Sequence, residues 1–476
     1  MGIILKEHRS LSLDIRYSDL TEDLKSAGTL FFAHKEDWHT ISARPFKTER
    51  GKVYPCYELT KTDDKITVEA GYFVGIDWLW QAGNRTVRVE PKINSTVYKY
   101  FEKLTDLQDE SLIEKESMAA EENIARDPYE KEVDCVAMLM EIMSYPDVAK
   151  ETGHLLLIDW KAKPIRITQK QDLLTPFLVV RFLMLLRDIV KKGLKKSYYK
   201  TEENLRNRIK GKILVGKQIR QNILKNRFTD AVCEYQIFGE DSPENRFLKK
   251  VFSFCRQYVE NDPSYFKDRQ EIRWILGYIR PAFEHIGEEI STNDISSAKY
   301  NPFFKEYQGA IKVGQLLLKK TSYNITKAAQ EEIYTPPFWI DMPKLFELFV
   351  YARLLKDNPE IPASQLNYQF PTYGNSLDFL ICSEQNKIVV DTKYKLRYNY
   401  GHIHEDIRQV SGYARLKKVK DQPPGIGDEE ISCIIIYPNP DLENVSLRIG
   451  DLMDEKHEIK AYHKIYKIGI PLPYIK

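Results

Sequence analysis

The spacing of apolar and polar residues divides the chain into regions with different predicted structure. Four regions follow: a β-rich module over 1–105, an acidic and polar connector over 106–132, a helical region over 133–333 and an α/β domain over 334–476. In the first region apolar and polar residues alternate between turn signals, of which Asp63-Asp64 and Gly83-Asn84 are the clearest. The pattern as a whole predicts a multi-domain α/β protein.

Helical spacing is strongest in the middle of the chain. Four segments carry it: 136–143, 177–194, 244–259 and 307–320. The third begins after Asp241-Ser242-Pro243-Glu244, a sequence typical of a helix start. In the last region the same spacing predicts helices from Met342 to Leu355 and from His404 to Lys418, and an apolar run predicts a strand from Ile431 to Tyr437.

Composition excludes several classes of protein. The 476 residues include 71 basic and 69 acidic side chains, so net charge alone indicates no partner. The six cysteines form no C-x-x-C pair, which favours reduced, structural thiols over disulfides or zinc. No secretory signal is recognised, and the most apolar helix, Pro176 to Val190, contains Arg181 and Arg187. We therefore expect a soluble, cytoplasmic protein that has no membrane partner.

One basic run stands out in this nearly neutral chain. Its members are Lys191, Lys192, Lys195, Lys196, Lys200, Arg206, Arg208, Lys210, Lys212, Lys217, Arg220, Lys225 and Arg227. Such a run is either a solvated helix face or a surface that contacts phosphates, and Tyr198, Tyr199 and Phe228 add stacking partners. In the second case Arg208, Lys210 and Lys212 are expected DNA contacts.

The candidate chemistry lies between residues 376 and 395. Two apolar segments, Leu377 to Cys382 and Lys387 to Thr392, predict strands joined by a polar turn. Asp378 begins the first strand, while Asp391 and Lys393 follow the second at a spacing that puts both on one side of an extended chain. Aspartate and lysine are also ordinary turn and edge residues. However, two carboxylates beside an amine suit metal-dependent phosphodiester hydrolysis.

Two flanking helices extend this centre. Glu347 lies beside the packed face of the helix from Met342 and is a candidate third carboxylate. Gln409 and Tyr413 are four residues apart, so they share one face of the later helix. Such a pair would support Lys393 or contact a phosphate.

The order Glu347, Asp378, Asp391-x-Lys393 and Gln409-x-x-x-Tyr413 resembles the PD-(D/E)xK nucleases, with Leu377 where the motif has proline. More specifically, the chain resembles the McrC family, the nuclease subunits of McrBC-type modification-dependent restriction systems. The segments that carry this resemblance are RIKGKILVGKQIRQNILKNRF, EYQIFGEDSPENRFLKKVF, IDMPKLFELFVYARLL and YFVGIDWLWQAGNRTVRVEPKI, together with the 376–395 hairpin. The resemblance implies a C-terminal restriction-endonuclease-like domain with a mixed sheet flanked by helices, acting in antiviral defence.

The resemblance also implies roles for individual residues. Asp378, Asp391 and the carbonyl of Thr392 are expected to hold Mg²⁺, with Mn²⁺ as the alternative ion, and Glu347 acts through water. Lys393 orients or deprotonates the attacking water or stabilises the transition state, and Gln409 positions Lys393 or the phosphate. Further expected contacts to double-stranded DNA are Tyr413, Lys395 and Arg397.

The implied partner is a McrB-like hexameric AAA+ GTPase, which the N-terminal module docks onto and stimulates. The chain has no G-x-x-x-x-G-K-[ST] motif, which agrees with nucleotide hydrolysis by that partner and no nucleotide bound here. Three other functions stay open from the residues: a nuclease of the same fold in repair or transposition, a non-catalytic adaptor that activates a motor, and a nucleic-acid-binding scaffold.

Overall fold

The computed structural model describes most of the chain and groups it into two compact units. The described residues are 3–7, 9–17, 29–32, 42–47, 53–54, 56–62, 65–79, 85–94, 130–168, 171–261, 263–266, 269–289, 305–325, 332–362, 364–373, 376–383, 386–394, 402–423 and 431–475. Unit 1 combines residues 1–167 with 334–476, and unit 2 comprises 168–333. Both ends of the chain thus belong to one unit, a grouping that the linear pattern did not predict. Most of the acidic connector and both predicted turn pairs lie outside the described residues.

The elements are as follows. The first part of unit 1 has strands β1 (Ile3–Lys6), β2 (Ser10–Tyr17), β3 (Thr29–Phe32), β4 (Phe46–Lys47), β5 (Val53–Tyr54), β6 (Tyr57–Lys61), β7 (Lys65–Ala70), β8 (Phe73–Trp78), β9 (Thr86–Glu90), β10 (Lys92–Asn94) and β11 (Glu130–Glu132), helices α1 (Cys135–Met143) and α2 (Pro146–Ala149), and strands β12 (Leu156–Ile158) and β13 (Ile165–Thr168). Unit 2 has α3 (Leu174–Lys192), β14 (Ser197–Arg206), β15 (Lys212–Ile213), α4 (Val215–Gln221), β16 (Asp230–Gly239), α5 (Pro243–Asn261), α6 (Pro263–Phe266), α7 (Gln270–Ile279), α8 (Lys305–Ile325) and β17 (Glu332–Thr335). The chain then forms β18 (Phe338–Asp341), α9 (Met342–Asp357), β19 (Leu366–Pro371), β20 (Ser376–Cys382), β21 (Lys387–Thr392), α10 (His402–Ala414), α11 (Lys417–Lys420), β22 (Ser432–Pro438) and β23 (Ile465–Ile470). Short 3₁₀ turns cover Lys150–His154, Ile223–Lys225, Arg280–Phe283 and Glu455–His457.

The first sheet of unit 1 draws on distant parts of the sequence. Its strand order is β1-β9-β8-β18-β12, so a strand that follows unit 2 pairs with strands from the N-terminal region. Gly75 permits this pairing, because a Cβ there would lie 2.1 Å from the carbonyl oxygen of Phe338. Trp339, on the inserted strand, is fully buried in the core of this sheet. A smaller sheet of order β3-β2-β7-β6 also belongs to this region.

The second large sheet of unit 1 carries the candidate chemistry. Its order is β19-β20-β21-β22-β23, with antiparallel pairing from β19 to β21 and parallel pairing from β21 to β23. Strand β22 is buried on both faces, as expected for a central parallel strand. Helix α9 packs against β21, and α10 packs against β21 and β22. These helices bring the predicted flanking residues to the ends of β20 and β21.

Unit 2 is a helical group with a three-stranded antiparallel sheet of order β14-β16-β15. Helix α8 packs against α3 and α5, and α3 packs against α7. The four predicted helical segments are confirmed as α1 in unit 1 and α3, α5 and α8 here. The basic run is divided between helices and strands: Lys191 and Lys192 end α3, Lys217 and Arg220 lie on α4, and Lys200, Arg206 and Lys212 lie on β14 and β15. Strand β14 pairs with β16 in an antiparallel ladder of ten residue pairs. Side chains of β14 mostly alternate between partly buried and exposed, which is the period of two of a strand.

Two further properties agree with the composition. All six cysteines are buried and make no disulfide. Across the described ranges, each helix falls short of the length and hydrophobicity that a membrane crossing requires.

Candidate active site

The two aspartates meet where the β20–β21 ladder ends. The register pairs Phe379 with Val390, so the next positions along the two strands are Asp378 and Asp391. Oδ2 of Asp378 accepts hydrogen bonds from the backbone N–H of Thr392 at 2.7 Å and from its hydroxyl at 2.6 Å. The Asp378 side chain thus takes over the hydrogen bonding of the β21 backbone at this point. Facing like charges are unfavourable in a sheet, so the arrangement does not serve strand pairing.

Asp391 is a deeply buried acid of this centre. Its exposed fraction is only 4%, although a carboxylate is normally solvated. Burial raises the pKa of Asp391 to about 7, with the ammonium of Lys393 opposing the shift and the charge of Asp378 adding to it. Apart from its 2.7 Å ion pair with Lys393, Oδ2 of Asp391 has no hydrogen-bond partner among the described residues. This buried oxygen therefore accepts no hydrogen bond from the described residues beyond the ion pair with Lys393.

Lys393 is held by residues of two elements. Its backbone N–H donates to the carbonyl of Ile436 on β22 at 2.8 Å, which fixes the chain after β21. Its ammonium donates to Oε1 of Gln409 at 2.8 Å and lies 3.6 Å from Oδ1 of Asp406. Burial opposes the charge of Lys393, yet Asp391 and Asp406 outweigh it, so the pKa of Lys393 is raised. The predicted approach of Gln409 to Lys393 is present in the structure.

Two residues of α10 complete this side, and one was not predicted. The Gln409 amide donates to the hydroxyl of Tyr413 at 3.0 Å, as their spacing of four predicts. Asp406 is almost fully buried and lies three residues before Gln409, on the same helix face. That spacing was the available signal for Asp406, whose role became visible only through the position of Lys393.

Glu347 lies in α9, which packs against β21. Its carboxylate is 3.3 Å from the ammonium of Lys344 and accepts a hydrogen bond from the amide of Gln369. Burial and the nearby charge of Asp378 raise the pKa of Glu347, so the two acids interact electrostatically. Gln369 occupies the register position opposite Asp378 and has a φ of 49° in the left-handed region. No sequence signal marked this strained residue.

The residues present suit a hard divalent cation in their chemistry. Within the described ranges, no group of three or more His, Cys, Asp or Glu side chains is spaced to bind a metal. The predicted set needs fewer side chains, because it combines two carboxylates with the carbonyl of Thr392. The underused Oδ2 of Asp391 and the facing Asp378 leave excess negative charge that a cation would neutralise.

The predicted DNA contacts fall in different places. Tyr413 belongs to the centre just described. Arg208 and Lys210 lie between β14 and β15 of unit 2, and Lys212 begins the edge strand β15. Lys395 and Arg397 lie outside the described residues.

Together, the mixed sheet and the polar residues at the ends of β20 and β21 define an α/β protein with a carboxylate–lysine centre. A family model described as "McrBC 5-methylcytosine restriction system component" matches residues 153–438, and the chain belongs to this family. The predicted membership of an McrBC-type system is thereby confirmed.

Solved structures and curated proteins add the following. The chain is similar to a half-complex from a tetradecameric assembly of Thermococcus gammatolerans McrB AAA+ hexamers with bound McrC, at 15% identity and a TM-score of 0.36, covering 100% of this chain and 95% of that chain. A second match is the Thermococcus gammatolerans McrBC complex, at 16% identity and a TM-score of 0.28, covering 75% and 88%. No curated protein matches the chain.

Proposed function

We propose that this chain is the McrC-type nuclease subunit of an McrBC-like restriction complex in antiviral defence. The observation that carries the proposal is the meeting of Asp378, Asp391 and Lys393 where β20 begins and β21 ends, with Gln409 hydrogen-bonded to the lysine. In a PD-(D/E)xK arrangement these groups hydrolyse a DNA phosphodiester with Mg²⁺. Family membership supports the restriction context.

In this proposal each residue has one task. Asp378, Asp391 and the Thr392 carbonyl would hold Mg²⁺, which would polarise the phosphoryl oxygen and lower the pKa of a bound water. Glu347, beside Asp378, would accept hydrogen bonds from water in the centre. Lys393 is ion-paired with carboxylates, which favours its role as a cation that stabilises charge developing on the phosphate. Gln409 holds the ammonium of Lys393 by a hydrogen bond near the end of β21.

The test is DNA cleavage by the full chain with its AAA+ partner and GTP, with and without Mg²⁺. We expect Asp391→Ala to abolish cutting, because the metal loses a buried ligand. Asp421→Ala, which changes an exposed aspartate after α11, is the matched control and should cut like the wild-type protein. Lys393→Ala should also abolish cutting and leave partner binding intact. Equal cleavage by the wild-type and Asp391→Ala proteins would refute the proposal.

The proposed partner is a hexameric AAA+ GTPase of the McrB kind, docked by the N-terminal β-rich region. The known complex is of McrC bound to McrB AAA+ hexamers in Thermococcus gammatolerans. In this division of labour the partner hydrolyses GTP, because this chain lacks a Walker A motif. A wild-type protein that cuts equally well without GTP and without the partner would favour a repair or transposition nuclease instead.

We also propose that Arg208, Lys210 and Lys212, in the basic segment from the end of β14 to β15, contact DNA phosphates. Two nearby lysines are already paired, Lys200 with Glu234 and Lys217 with Glu202. In contrast, Arg208 and Lys212 make no ion pair within the described residues, and Lys210 lies 4.1 Å above the ring of Tyr235. Unpaired cations are available to replace counterions on DNA.

The salt dependence of DNA binding tests this surface. Replacing Arg208, Lys210 and Lys212 together by alanine should reduce the slope of log K against log salt by about 2 to 3, since each phosphate contact contributes about 0.9. The matched control replaces the paired Lys200 and Lys217 by alanine and should change the slope less. An unchanged slope in the triple variant would contradict the contact.

A further inference from the structure

A cleft opens beside the candidate active site, between the β19–β20 connection and α10. Its volume is about 500 Å³, and its walls include Tyr373, Arg408, Gln409, Gly412 and Tyr413. Tyr373 is 78% exposed, an unusual position for a large aromatic side chain. The cleft therefore presents an aromatic ring and a guanidinium to solvent.

Gly412 leaves the α10 side of the cleft without a side chain at this position. Arg408, Gly412 and Leu416 are spaced by four residues, so they follow one face of α10 and its end. A Cβ at Gly412 would meet no atom within 4 Å, so packing does not demand glycine there. Glycine is also among the poorest helix formers. The residue thus costs helix stability and leaves space where a side chain would fill the cleft.

The cleft is continuous with the candidate centre. Gln409, in its wall, accepts a hydrogen bond from the ammonium of Lys393 at 2.8 Å and donates to Tyr413 at 3.0 Å. A ligand in the cleft consequently lies one hydrogen-bonded residue away from the lysine that would meet the phosphate.

The wall chemistry identifies the ligand class. Arg408 is exposed and makes no ion pair within the described residues, so its guanidinium is available to a phosphate. An exposed tyrosine ring beside it offers a stacking face for a base or sugar. We propose that the cleft holds a nucleotide of the DNA strand next to the scissile phosphate, with Arg408 on its phosphate and Tyr373 against its base or sugar. This inference rests on the proposed nuclease function.

The test measures the binding of a fluorescein-labelled DNA duplex by the full chain in an Asp391→Ala background, where cutting is absent. Tyr373→Ala, Arg408→Ala and Gly412→Leu should each weaken binding about tenfold, at the lower end of the effect of losing a base–aromatic stack. Tyr373→Phe keeps the stacking face and should bind normally. Arg415→Ala and Gly277→Leu are matched controls, since they change an exposed arginine and an exposed helical glycine outside this cleft.

Gly412→Leu separates this role from a structural one. Leucine is a better helix former, so the variant should unfold at the same or a higher temperature and nevertheless bind DNA more weakly. Unchanged affinity in all three cleft variants would overturn the inference. The proposed function is judged separately by whether the protein with Asp391 intact cuts DNA, so either idea can fail without the other.

Discussion

Glu7 is the residue whose replacement best tests how the N-terminal sheet supports the candidate centre. It follows β1 and is almost fully buried, and its Oε2 accepts a hydrogen bond from the hydroxyl of Tyr394 at 3.1 Å. Its Oε1 has no hydrogen-bond partner among the described residues. Because Tyr394 directly follows Lys393, this contact connects the beginning of the chain to the strand end that carries the lysine.

The expected effect follows from protonation. Burial raises the pKa of Glu7 well above its ordinary value of 4.5, although the Tyr394 hydrogen bond opposes the shift. The native protein therefore binds this proton more tightly than the unfolded chain does. The resulting stabilisation is complete below pH 4.5 and is lost as pH rises towards the native pKa, by up to about 1.4 kcal/mol per pH unit. Glu7→Gln removes this dependence and keeps an oxygen acceptor for Tyr394.

The assay is urea unfolding of the wild-type and Glu7→Gln proteins from pH 4 to pH 9. The variant should gain stability relative to the wild-type protein as pH rises, whereas Glu58→Gln, which changes an exposed glutamate on β6, should follow the wild-type protein. Glu7→Ala removes an acceptor of the buried Tyr394 hydroxyl and should cost about 1–3 kcal/mol. A stability difference between the wild-type and Glu7→Gln proteins that is flat with pH, or that has the opposite sign, would refute the reasoning.

Two further predictions concern buried charges. Lys320 pairs with Asp172 inside unit 2, and both side chains are 3% exposed. Lys320→Met leaves the buried carboxylate without its partner and should lower the free energy of unfolding, measured by urea titration, by about 3–5 kcal/mol. Adding Asp172→Asn should recover part of this loss, and an unchanged midpoint in Lys320→Met would contradict the estimate. Asp406→Asn removes one of the two carboxylates that hold Lys393 and should lower kcat for DNA cleavage with KM little changed. An unchanged kcat would show that Asp391 and Gln409 suffice.

The hairpin and its flanking helices were predictable because local pattern and burial agree there. The predicted strand from Lys387 to Thr392 is β21 residue for residue, and the strand predicted from Leu377 begins one residue earlier. Apolar runs set these strands, and charged residues mark their ends. The helix predicted from Met342 to Leu355 begins at the predicted residue, because Asp341 caps its start by accepting from the backbone N–H of Lys344. It ends at Asp357, two residues later than predicted.

The sequence pattern could not predict which distant strands pair with each other. Four residues, Phe338–Asp341, pair with β8 across more than 250 positions of sequence, and so short an apolar segment carries no signal of its partner. The same limit applies to Glu7 and Tyr394, whose contact depends on both sheets being folded.

Strand β14 was not predicted because it lies within the basic run. Long side chains of lysine and arginine occur equally well on either element, so period was the only guide to β14, and few β-branched residues supported it. Turn residues were the missed signal. Asn207 and Asn226 adopt positive φ, and Gly211 has a φ of 69° where a Cβ would lie 2.3 Å from the carbonyl oxygen of Glu234. Asn207 follows the end of β14, Asn226 follows the 3₁₀ turn Ile223–Lys225, and Gly211 allows the close approach to Glu234.

Three unfavourable features coincide where the β20–β21 ladder of the second sheet ends. Asp378 and Asp391 face each other as like charges, Asp391 is buried, and Gln369 holds a left-handed backbone at the adjoining register position. None of them improves packing, and an apolar residue at position 391 would continue the buried strand. A fold that places several such costs together departs from the rules that otherwise govern the chain, and such departures are expected at functional sites. Local energetics, independently of any resemblance, thus support the proposed site at the end of the β20–β21 ladder.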